Sequence, residues 1–134
     1  MTAAEREPAS SRPPVEQLVP ASTPWWAIFA TIRASGAADP ATVRHEQVIC
    51  WGLVQGQVLG LVARERVVPA EWDPLFLGYS GSQHLDAAEW QVRARQRLLE
   101  QDPDTLRTAD AARQQRHAEL EDARRQRREG AAHA

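Results

Sequence analysis

Four guanidiniums, on Arg124, Arg125, Arg127 and Arg128, are the densest concentration of reactive charge in this chain. On a helix they fall on just over one turn, where such a run can grip phosphates or carboxylates. Acids bracket them at Glu119, Glu121, Asp122 and Glu129, and from residue 82 onward ten Arg stand against ten acids. A neutral sum gives little counterion-release drive. The run therefore reads first as a solvated helical face, with nucleic-acid binding as the alternative.

The other reactive side chains do not converge. His45, His84, His117 and His133 include no pair at i, i+4, and the single Cys50 has no thiol partner. A zinc site needs three or four ligands together, so no metal site is expected. Cys50 sits between Ile49 and Trp51, a setting for an inert thiol rather than an activated nucleophile. Gly81-Ser82-Gln83-His84 places a Ser near a His but lacks the nucleophile-elbow spacing. Glu71, Asp73, Asp86 and Glu89 could cluster, yet acids this close in sequence are ordinarily solvated. No catalytic residue and no cofactor is expected.

Aromatic residues carry the stronger signal. Four of the five Trp, both Phe and the only Tyr lie between Trp25 and Tyr79. Trp25, Trp26, Trp51 and Trp72 are too many for full burial in a small core. One of Trp25 and Trp26 should face outward, or pack under a helix carrying Trp90. An exposed aromatic on a sheet serves as a protein-binding anchor or a base-stacking platform. The candidate protein-binding residues are thus Trp25, Trp26, Trp72 and Trp90.

The elements that must position them follow from local patterns. Residues 1–24 hold five of the nine Pro, which predicts a disordered or extended arm, with Val15, Leu18 and Val19 able to stick to a surface. Residues 25–34 fit both periodicities. Their β-favouring composition and the alternation of Trp26, Ile28, Ala30 and Ile32 select a strand. Gly36 and Asp39-Pro40 mark residues 35–45 as a loop. Residues 46–54 and 57–64 form the clearest unit, two β-rich runs reversed at Gln55-Gly56-Gln57 by the positive φ that Gly56 allows. Gly52 and Gly60 leave bare backbone on which a Trp ring could lie. A short strand at Val67-Val68 is ended by Pro69, and residues 71–82 read as turn and plug.

Residues 83–101 predict a helix capped by Ser82, with Leu85, Ala88, Val92 and Leu99 as its stripe and Trp90 and Leu98 beside it. Asp102-Pro103 stops it and starts a second helix. That second helix carries only Leu106, Ala109, Leu120 and Ala123 as a thin apolar face, and it should fray toward Gly130.

The fold class expected is α+β. A small antiparallel β-meander of three or four strands over 25–82 is followed by one or two C-terminal α-helices over 83–134, after a Pro-rich arm over 1–24. In outline this resembles small SH3-like or partly open barrels, a likeness of shape that carries no function.

The chain has 134 residues, enough for one domain, and a net charge of −2. That balance excludes a generally cationic surface. No apolar stretch is long enough to cross a bilayer, no secretory signal is expected at the N-terminus, and one Cys fits a cytoplasmic setting. Lys and Asn are absent while Arg occurs 16 times, the mark of a GC-rich genome such as an actinobacterial or actinophage one. The expected function is a non-catalytic protein-interaction or structural adaptor module. Its alternative is an accessory nucleic-acid-binding protein that uses the Arg-rich helix and an exposed Trp. Homo-oligomerisation is left open.

Overall fold

The computed structural model describes residues 14–21, 23–33, 39–82 and 87–132. Among these the chain is α+β. The strands are β1 (Gln17–Pro20), β2 (Trp26–Ile32), β3 (Ala41–Gln47), β4 (Cys50–Val54), β5 (Gln57–Ala63), β6 (Val67–Pro69) and β7 (Phe76–Ser80), and the helices are α1 (Ala87–Gln101) and α2 (Pro103–Ala132). The strands form two sheets, ordered β1-β4-β5-β6 and β3-β2-β7.

The predicted hairpin is β4–β5. Val54 pairs with Gln57 across Gln55 and Gly56, whose φ values are 48° and 77°. Two left-handed residues in succession make the tight turn whose twist matches that of its strands. Within the segment expected as strand, Trp26–Ile32 is strand, as its composition indicates.

Three stretches differ from the sequence reading. Residues 17–20, expected within a disordered or extended arm, form a paired strand, β1, antiparallel to β4 with Leu18 opposite Gly52 and Val19 opposite Trp51. Proline excludes helix there but tolerates an edge strand, and Val15 comes to rest against Gly52. Residues 41–45, expected as loop, form most of β3 (Ala41–Gln47). Asp39 Oδ1 accepts the Ala41 N–H at 3.0 Å, so Asp39-Pro40 is the turn that enters a strand, and Ala41 and Thr42 are buried. The polar run Arg44-His45-Glu46 hides this in the sequence. Residues 76–80, expected as irregular plug, form β7. The Asp73-Pro74 turn is real but ends at Leu75, whose N–H donates to Asp73 Oδ1 at 2.8 Å. Two sheets therefore replace the single meander.

The backbone changes partners at Val48-Ile49. Val48 N–H donates to the Trp25 carbonyl at 2.8 Å, and Ile49 N–H donates to the Leu61 carbonyl at 2.9 Å. One extended run thus leaves β3 and becomes β4.

The chain divides into two compact units, Met1–Ile28 with His45–Leu85, and Phe29–Arg44 with Asp86–Ala134. β2 and β3 each begin in one and end in the other. The first unit buries Ala27, Ile28, Val48, Val54, Leu59, Leu61, Val62 and Ala70. The second buries Phe29, Ala30, Ala41, Ala94, Leu98 and Leu106.

The inward stripe of α1 differs from the one predicted. Val92 and Leu99 are 67% and 52% exposed, while Ala94 and Leu98 are buried; Leu85 lies outside the described residues. The buried line advances four residues at a time, one helical face, with Trp90 half-buried at its start. Asp102-Pro103 separates the helices as read. α2 continues through Gly130 to Ala132, with Leu106 buried and Leu120 49% exposed. Arg95 ties the two helices: its guanidinium reaches Asp110 at 2.5 and 3.2 Å. That hydrogen bond holds the Asp110 carboxyl below the usual carboxylate range.

Replacing Gly56 by Ala forces a Cβ into left-handed backbone, although nothing lies within 4 Å of it. The expected loss is about 1–2 kcal/mol, read as a lower denaturant midpoint with an unchanged slope.

Candidate functional site

The site is built where the β5–β6 ladder runs out. Leu61 pairs with Pro69, Val62 with Val68 and Ala63 with Val67. Past this point the chain enters the 3-10 turn Ala70–Trp72, where the Ala70 carbonyl accepts the Asp73 N–H at 3.1 Å. The next amide along β5, that of Gly60, has lost its strand partner. It donates instead to Tyr79 Oη on β7, at 2.8 Å.

This bond lays the Tyr79 ring on the bare backbone of Gly60. A Cβ there would stand 2.6 Å from Tyr79 Cε1 and 3.2 Å from Trp51 Cζ3. Trp51 is directly opposite Gly60 in the sheet, so both rings share one face. They meet edge-on with centroids 5.3 Å apart, a favoured aromatic geometry. Phe76 extends the group at 4.9 Å from Tyr79, and Trp25 extends it at 6.2 Å from Trp51. Trp25 also leans on Gly81, whose Cβ would stand 3.7 Å away. The same face carries Val19 opposite Trp51 and Leu53 opposite Val58; Val19 and Val58 are 49% and 62% exposed.

Burial raises the Tyr79 pKa well above its ordinary value. The Gly60 N–H opposes the shift, and the Glu71 carboxylate adds to it. The phenol is thus a structural hydrogen-bonding group, not an acid poised for proton transfer.

The proposed docking residues separate. Trp25 is 37% exposed at the rim of the aromatic group. Trp26 is half-buried and meets His45 edge-on at 5.0 Å. Trp72 is half-buried on a single 3-10 turn, Ala70–Trp72. Trp90 lies in the second unit on α1, with Arg93 stacked over it at 4.9 Å. Trp25 thus shares its cluster with Trp51, Tyr79 and Phe76. Trp51 was not among them; its place opposite Gly60 in the hairpin register was the signal that could have found it.

Arg124, Arg125, Arg127 and Arg128 are all exposed on α2. Arg124 pairs with Glu121 at 3.7 Å and Arg125 pairs with Asp122. Of the other reactive groups, Asp73 accepts from Arg64 at 2.6 Å and Glu46 from the same guanidinium at 2.7 Å. Arg64 thereby pins the bend between β5 and β6 to the end of β3. Glu89 pairs with Arg93 at 2.8 Å. Ser80 Oγ donates to the Ser82 carbonyl at 2.8 Å and accepts the Ser82 N–H at 3.1 Å, a closed loop that engages the Ser80 hydroxyl. Cys50 is half-buried. His84, Asp86 and His133 lie outside the described residues. Among the described residues no three of His, Cys, Asp and Glu gather as a metal-holding group, and no helix is long and apolar enough to cross a membrane. Comparison with family models, curated proteins and solved structures finds no match.

Gly60→Ala should lose about 1–3 kcal/mol by overpacking against Tyr79 and Trp51, measured by chemical denaturation. The only Tyr in the chain gives a second check. Its native pKa lies above the ordinary 10.0, so its contribution to stability is complete below pH 10. As pH rises further the unfolded chain ionises first and the native state weakens. Phenolate absorbance should therefore rise together with the loss of ellipticity. Ionisation near pH 10 in a still-folded protein would place the phenol in solvent.

Proposed function

We propose that this chain is a non-catalytic protein-interaction module that docks its partner through the aromatic edge of the first unit, centred on Trp25. The observation that carries this reading is a large aromatic ring that is 37% exposed yet held in place. Trp51 stands against one side of it, Gly81 against another, and its own carbonyl accepts the Val48 N–H at 2.8 Å. An anchor fixed before binding loses little freedom when a partner closes on it, and Trp is the residue most enriched at binding hot spots. Val19 and Val58 on the same sheet face offer further apolar surface at the margin. The half-buried thiol of Cys50 fits a reducing setting such as the cytoplasm.

The test is affinity capture of the tagged full-length protein from its native source. Trp25→Ala should keep the native circular dichroism spectrum and lose the captured partner. Trp90→Ala, in the other unit, should keep both. Equal capture by wild type and Trp25→Ala sinks the proposal.

A further inference from the structure

The charges of α2 nearly balance in number, seven Arg against six acids, but not in direction. At 3.6 residues per turn, Arg113, Arg116, His117, Leu120, Arg124, Arg127 and Arg128 fall within an arc of about 120°. Between Arg113 and Arg128 no acid lies in that arc. Glu119, Asp122 and Glu129 project from the opposite side, and Glu121 sits at the border, 3.7 Å from Arg124. The stripe continues the face on which Leu106 is buried, and it runs about 22 Å from Arg113 to Arg128. At its inner end Arg113 is 3.7 Å from Asp110. Beyond it Arg116, Arg124, Arg127 and Arg128 are exposed.

We infer that this basic stripe is a docking surface for the phosphate backbone of duplex nucleic acid, separate from the Trp25 surface. The stripe's own composition selects that occupant. Leu120 is the only large apolar residue in the arc, so little apolar area is available to bury. A protein partner would need an apolar interface core, and a membrane surface would need a broad apolar face. Neither is present. Single strands are gripped largely by stacking on aromatic rings, and α2 has no Phe, Trp or Tyr. What remains is a line of forked donors, Arg113 and Arg116 at one end and Arg124, Arg127 and Arg128 at the other, each able to hold two phosphate oxygens. Displaced counterions supply the driving force.

The experiment is fluorescence anisotropy of the full-length protein with a labelled mixed-sequence duplex DNA. Micromolar binding at about 50 mM salt is expected. Four phosphate contacts imply a loss of roughly 100-fold on raising salt to about 200 mM. Arg116→Gln, Arg124→Gln, Arg127→Gln and Arg128→Gln combined should abolish binding while helical ellipticity is kept. Arg107→Gln with Arg125→Gln, two residues on the other side of the helix, should bind like the wild type. Polyglutamate should compete poorly at equal charge. The inference is overturned by no binding at low salt, by equal weakening from the Arg107 and Arg125 pair, or by polyglutamate competing as well as DNA, which would mark an acidic protein surface instead.

Discussion

The hydrogen bond from the Gly60 amide to Tyr79 Oη settles more of this structure than any other single contact. It arises from a deficit. β6 ends where Ala70 turns its carbonyl to the Asp73 N–H, and the amide that follows in β5 would be buried without a partner, at a cost of about 1–3 kcal/mol. A phenol is long enough to reach it from another strand, and only glycine lets the ring lie close enough to do so. Once the ring is there, Trp51 has a surface to meet edge-on and Trp25 has Trp51 to lean against. The exposed ring at the rim is thus fixed by a backbone amide several side chains away. A phenylalanine on β7 would fill the same space and leave that amide unsatisfied.

The same dependence explains which parts of the fold could be read directly. The β4–β5 hairpin was legible because its determinants are local: two β-rich runs and a Gly at the reversal. The α1–α2 break was legible because Asp102-Pro103 acts on its own neighbours. β1, β3 and β7 were not. Each is a strand because of what lies beside it: β1 because Leu18 and Val19 find β4, β3 because Ala41 and Thr42 are buried, and β7 because Tyr79 has an amide to cap. Composition near these strands reports Pro, charge and Gly, and those signals favour loops. Tertiary pairing overrides them.

The candidate site divides along the same line. That Trp25 or Trp26 must face outward followed from counting large rings against a small core. Which of the two did so was decided by β2 register, since Trp26 turns toward His45 and Trp25 lies just before the strand. Trp72 and Trp90 were grouped with them by residue type alone, and their surroundings differ. Trp51 was counted among the rings too many to bury, but not among the docking residues. Pairing across to a glycine is what opens space for its neighbours.

Helical charge poses a related problem, because a sum over residues discards angle. Ten Arg against ten acids suggested a neutral arm, and within α2 some charges are indeed spent on each other, as in Arg125 with Asp122. Yet a pair at i, i+3 neutralises only where both members face the same solvent. Arg116 and Arg127 are eleven positions apart, close to three full turns, and so share a side from which Glu119 and Glu129 are turned away. A polar helix otherwise has two stable uses, as a spacer or as a lattice of its own ion pairs. A lattice would distribute both signs evenly around the axis. The segregation along α2 departs from that pattern and gives a nearly neutral chain one strongly cationic line.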